Sequence, residues 1–96
     1  MDWHDDPDNP NAKRTDWPVY TMDEVAQHNT DDDIWTVVDG EVFDLTQWRD
    51  RHEGGPSMIE GMAGVDASAE FHGMHGDAEA ANILIHRFKI GDLAQG

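Results

Sequence analysis

Two histidines stand among neighbours that could put an imidazole to work. His52 lies in His52-Glu53-Gly54-Gly55, and His75 lies in Phe71-His72-Gly73-Met74-His75. A neutral imidazole is a common metal ligand. Two of them facing each other across an apolar pocket are what a haem iron needs for full axial ligation. The paired glycines after His52 permit backbone conformations that side chains would forbid. Phe71 and His75 are four residues apart and so share a helical face, which favours His75 as the second ligand. His72 is its rival, within one turn of it. Met74 beside His75 offers His/Met ligation, which would raise a reduction potential. His72, His75 and Asp77 offer a zinc or nickel set, but tetrahedral zinc wants a fourth ligand and none is evident nearby. His4, His28 and His86 have no spacing that argues for ligation and read as surface or edge histidines.

Composition narrows the chemistry. The chain has no cysteine, which excludes disulfides, thiolate ligation, iron–sulfur clusters and covalent Cys-x-x-Cys-His attachment of haem. Any such group is therefore held non-covalently. Six basic against 21 acidic side chains give a net charge of −15, the wrong sign for a nucleic-acid partner. The acidity fits either a docking field for basic partners or a solvated surface suited to high salt. No apolar run approaches the roughly 18 residues of a membrane span, and the polar, acidic start is no signal peptide. A soluble cytoplasmic protein is expected. With 96 residues the chain makes one domain with a modest core, so an embedded cofactor would add apolar contact that contributes to folding.

The elements that must carry these histidines are legible in outline. Residues 1–17 hold five aspartates, two prolines and no apolar period, and read as a mobile acidic arm ahead of a domain over 18–96. Trp17 is expected to pack near the domain edge. Thr21-Met22-Asp23-Glu24 has the capping-box form and predicts a short helix through about His28. Ile34–Val38 and Glu41–Leu45 are β-rich runs joined by Asp39-Gly40, the pair that favours a type I′ hairpin turn. Helix starts recur at Thr46 for Gln47 to Arg51, at Pro56, at Asp66 for Ala67 to His72, and at Asp77 for Ala78 to about Arg87. Short helices separated by glycine imply helix pairs standing on a small sheet.

Taken in order, Tyr20-Thr21-Met22-Asp23-Glu24-Val25 through Asp44-Leu45-Thr46-Gln47-Trp48, the two histidine segments, and Phe88-Lys89-Ile90-Gly91-Asp92-Leu93 resemble the cytochrome b5 family. The resemblance implies an α+β fold, a small mixed sheet with helix pairs forming a haem pocket. It implies non-covalent haem b ligated by His52 and His75 and lined by Trp48, Met58, Ile59, Phe71 and Met74. By the same resemblance the protein is a monomeric one-electron carrier rather than an enzyme, serving a flavin or iron–sulfur reductase and a haem or metal acceptor. The chain ends at Ala94-Gln95-Gly96 without the hydrophobic helix of tail-anchored members, so a soluble, free-standing member is expected. A second class, a non-redox ligand-binding or adaptor module, is represented by the membrane-associated progesterone-receptor relatives, which lack the histidine pair.

Departures from the family pattern are local. Glu53 stands where a proline usually follows the first ligand. The Phe71-x-x-x-His75 spacing looks more like the haem domains of flavin-linked lactate dehydrogenases than like animal microsomal members. Met58 and Met74 replace common valines, and methionine fills gaps flexibly. Gly76-Asp77 replaces a serine that often bonds a haem propionate, leaving the Gly76 amide as a substitute. The rim stretch Pro56-Ser57-Met58-Ile59-Glu60-Gly61-Met62 carries one acid where relatives carry several, so Met62 and the glycines are expected to present a flatter, more apolar contact.

Overall fold

A computed structural model describes residues 3–30, 32–48, 59–75 and 79–94. In chain order its elements are β1 (Val19–Tyr20), α1 (Met22–Ala26), β2 (Asn29–Thr30), β3 (Asp33–Val38), β4 (Glu41–Asp44), α2 (Ser68–His75), α3 (Glu79–Ile85) and β5 (Lys89–Leu93), with 3-10 turns at Trp3–Asp5 and His86–Phe88. The expected helices after Thr46 and Pro56 run into residues 49–58, outside the described residues.

Local chemistry explains several of these elements. Asp39 and Gly40 both take positive φ, 53° and 78°, the pair of conformations a type I′ turn requires. They join β3 to β4 in register, Val38 opposite Glu41 and Trp35 opposite Asp44. Helix α1 opens with the full capping box: the Glu24 amide donates to Thr21 Oγ1, and the Thr21 amide donates to the Glu24 carboxylate. It stops at Ala26, short of the expected His28. The His28 ring is instead drawn to the Asp33 carboxylate at 2.8 Å and stacks on Trp35 at 3.6 Å.

The sheet order is β1-β5-β4-β3-β2. Among the strand pairs of the described residues only β1–β5 is parallel, which sets β1 and β5 side by side. Alternation along β3 and β4 feeds two apolar clusters on opposite faces. Ile34, Val38, Phe43 and Leu45 join Ile59, Phe71 and Ile85 on one face. Val37 and Val42 join Val25 of α1 on the other. This is the mixed sheet with helices, an α+β fold, that the sequence implies.

The acidic stretch read as a mobile arm is placed differently from that expectation. Trp3, Asp6, Asn9 and Ala12 are buried. Trp3 stacks with the His86 ring, and Arg87 donates to the Asp6 carboxylate at 2.7 Å. An indole and an Arg–carboxylate pair supply the burial and the directed bonds that a count of aspartates and prolines does not register.

Candidate functional site

The apolar face of the sheet meets α2 through Phe71, which is buried with Ile34, Val38, Phe43, Leu45, Ile59 and Ile85. Backbone pairing sets where α2 begins. The Val37 amide donates to Val65 O, the Ala67 amide donates to Val37 O, and the Gly64 amide donates to Trp35 O, so this stretch runs along β3. The buried Thr36 hydroxyl donates to Val65 O at 3.0 Å. The Asp66 carboxylate then accepts from the Ser68 amide, and Ser68 Oγ accepts from the Asp39 amide at 2.8 Å. The hairpin turn is thereby tied to the first turn of α2. One turn on, His72 Nε2 lies 2.8 Å from the Asp39 carboxylate.

A second set of bonds directs the chain as it leaves β4. The Leu45 amide donates to Ile34 O, and the Ile34 amide donates to Thr46 Oγ1. The Thr46 hydroxyl donates to Asp44 at 2.6 Å, and the Trp48 amide donates to Leu45 O. This tight turn lays Trp48 against the core cluster, its ring 5.7 Å from that of Phe88.

Of the expected pocket residues, Trp48, Ile59 and Phe71 come together on this face, with Met62, Ala63 and Ala81 packed beside them. Met74 is 54% exposed and stands apart from the cluster. Met62, expected at an apolar rim, is half-buried against the core. His75 is the last residue of α2. His52, Glu53, Met58, Gly76 and Asp77 lie outside the described residues. Among the described residues, no group of three or more histidines and acids could hold a metal ion. An open cleft of about 430 Å³ lies elsewhere, edged by Asp32, Asp44, Gln47, Arg87 and Phe88. None of the expected pocket residues lines it, and its charged walls do not suit a porphyrin.

His86 is a correction to the reading of it as a surface or edge histidine, for it is only 5% exposed. Its Nδ1 lies 2.6 Å from the Asn82 carbonyl and its Nε2 lies 2.8 Å from Glu41. Lys89, equally buried, reaches Glu41 at 3.2 Å and Asp92 at 3.0 Å. Burial pushes the Glu41 carboxyl up, but the hydrogen bonds and charges of His86 and Lys89 outweigh it and hold the group below its ordinary value. Spacing carried no signal for this cluster, because its members come from β4, the His86–Phe88 turn and β5.

The described side of the site is thus an apolar wall built by a five-stranded sheet and by α2 and α3, with an aromatic residue one turn before the final histidine of α2. These features define a small α+β domain with an apolar wall between its sheet and its helices. The family model for the cytochrome b5-like heme/steroid binding domain matches residues 21–94, and the chain belongs to that family.

Among its relatives, NADH nitrate reductase of Volvox carteri is 43% identical over 74 residues, 77% of this chain and 8% of that protein. Cytochrome b5 of Candida tropicalis is 37% identical over 75 residues, 78% of this chain and 57% of that one. The chain therefore spans little more than half the length of the second and a small part of the first. Among solved structures, cytochrome b558 of Ectothiorhodospira vacuolata, a prokaryotic homologue of cytochrome b5, superimposes with a TM-score of 0.73 at 31% identity. That alignment covers 80% of this chain and 99% of the other. Among the described residues, no helix is long and apolar enough to cross a membrane.

Proposed function

We propose that residues 18–96 bind a non-covalent haem b through His52 and His75 and carry one electron at a time between separate partner proteins. The observation that carries this reading is α2: it buries Phe71 in the core and reaches His75 four residues, about one turn, later, in a chain of the cytochrome b5 family. Trp48, Ile59 and Phe71 supply an apolar wall that suits the faces and edges of a porphyrin; Met58 is assigned to the same lining, and Met74, exposed at the end of α2, would be covered only by the bound group. The haem supplies one-electron exchange between its ferric and ferrous states.

Two imidazoles, His52 and His75, one on each side in sequence of the segment 59–71, would together hold the haem and leave no place for oxygen or substrate to bind, which would favour transfer over turnover. Keeping the same two residues as ligands in both oxidation states would keep reorganisation small. The protein's remaining influence on potential is through bonds to the imidazoles and through burial. A flavin or iron–sulfur reductase on one side and a haem or metal acceptor on the other are the partners this role requires. The chain acts as a soluble, cytoplasmic monomer rather than as an enzyme in its own right.

One absorption spectrum, oxidised and then dithionite-reduced, tests this. The expected spectrum is six-coordinate and low-spin, and it is lost in both His52→Ala and His75→Ala. A protein that takes up no haem would sink the proposal. Survival of the low-spin spectrum in His75→Ala and its loss in His72→Ala would move the second ligand to His72.

A further inference from the structure

Ahead of the family-matched residues 21–94, the chain carries a segment whose side chains converge on the His86–Phe88 turn and the start of β5. Trp3 stacks with His86 at 4.5 Å between ring centroids and an interplanar angle of 12°. Arg87 donates to Asp6 at 2.7 Å and 3.1 Å, and the Asp6 side chain is 1% exposed. Asn9 Nδ2 donates to His86 O, and Asn11 Nδ2 donates to Lys89 O. Lys89 Nζ sits 4.5 Å from the Trp17 ring centroid.

We propose that residues 3–17 are a detachable clasp on this surface, and that a doubly protonated His86 ring is the lock that holds it. Both ring nitrogens face acceptors with no proton to give. The Asn82 carbonyl has none, and Glu41 is kept ionised by Lys89 at 3.2 Å. Each nitrogen must then donate, which only the imidazolium does. Its positive ring lies against the indole of Trp3, whose face is negative, and meets Phe43 edge-on at 5.3 Å.

Among the described residues, the charged and titratable groups around the ring are Glu41 from β4, Lys89 and Asp92 from β5, Arg87 with its partners Asp6 and Asp8, and His4 stacked on Trp3 at 3.8 Å. When the ring releases a proton to water, one nitrogen aims a lone pair at an oxygen lone pair and the charge behind Trp3 disappears. Lys89 stays on Glu41 and Asp92, so the carboxylate keeps its ion pair and cannot return the proton. On the acid side, the Arg87 hydrogen bond, against the effect of burial, keeps Asp6 below its ordinary value. Protonation of His86 therefore closes the clasp and deprotonation frees it, in the way histidine switches flip an interface.

The test uses the whole chain with its haem bound and reduced. The His86 ring nitrogens and the Trp3 indole are followed by nitrogen-15 NMR from about pH 5.5 to about pH 9, the range around the ordinary histidine value of about 6.5. Tryptic cleavage after Lys13 and Arg14 is measured over the same range, normalised to a free peptide of the same residues. Expected are an imidazolium at low pH and a roughly tenfold rise in cleavage sharing the midpoint of ring deprotonation. By reciprocity, Trp3→Ala, which leaves Glu41 and Lys89 in place, moves the His86 midpoint to lower pH. A ring neutral throughout, pH-independent cleavage, or an unmoved midpoint in Trp3→Ala would each overturn the proposal. None of these readouts depends on which histidines ligate the haem.

Discussion

Glu41 shows how one side chain can serve two elements. It sits at the β4 side of the hairpin turn and takes both the His86 imidazole and the Lys89 ammonium, with its own side chain 28% exposed. Because its carboxyl is held below the ordinary value, the sign of its contribution follows from linkage. The stabilisation is fully present above the unfolded pKa, near about 4.3, and is lost as pH falls through the lower folded value. Glu41→Gln should therefore be less stable than the native chain in urea near neutrality, and the gap should narrow steadily below about pH 4. A gap that did not change with pH would show that the carboxylate charge is not its source. Among the candidate ligands, His72 is held 2.8 Å from Asp39 on the exposed side of α2. That contact gives it a structural partner in the hairpin turn.

At the scale of elements, one edge of the sheet is closed by a strand of two residues. β1 lies parallel to β5, with the Asp92 amide donating to Pro18 O at 2.9 Å and the Ala94 amide donating to Tyr20 O at 2.7 Å. This approach leaves no room at Gly91: a Cβ there would lie 2.6 Å from Pro18 O and 2.6 Å from the Tyr20 ring. The carbonyl belongs to backbone and cannot swing away. Gly91→Ala should cost about 1–3 kcal/mol in chemical denaturation, the range for inserting a group into a filled space. Gly73 on α2 is the control, since nothing lies within 4 Å of a Cβ placed there. Gly73→Ala should gain up to about 1 kcal/mol from helix propensity. If Gly91→Ala were as stable as the native chain, β1 would not be what holds the sheet shut.

For the whole molecule, the net charge of −15 bears on the proposed redox role through its field. A strongly negative protein favours the more positive ferric state, so the reduction potential should lie low and rise as salt screens the charge. Between about 0.01 M and about 1 M salt the screening length falls from about 30 Å to about 3 Å. Spectroelectrochemical titration across that range should show the rise, and a potential independent of salt would remove the field from the account. Part of the charge is neutralised internally, as Lys89 and Arg87 are spent on Glu41, Asp92 and Asp6. That leaves still fewer cations to balance the acidic surface.

The sequence by itself determined what depends on neighbouring residues. The Asp39-Gly40 turn, the Thr21–Glu24 box and the β-rich runs Ile34–Val38 and Glu41–Leu45 were readable because turn chemistry, capping and β-propensity act over a few residues. Strand ends came within one residue of the observed Asp33–Val38 and Glu41–Asp44, and the family likeness was carried by motifs of the same short range. The burial of His86 and the docking of Trp3 and Asp6 were decided only by the tertiary structure, as was the parallel pairing of β1 with β5. Asn9 bonds a residue 77 positions away and Asp6 one 81 away. A buried cation and its counter-ion are tolerated only once the fold brings both to the same place, and no local pattern in the chain records where that will be.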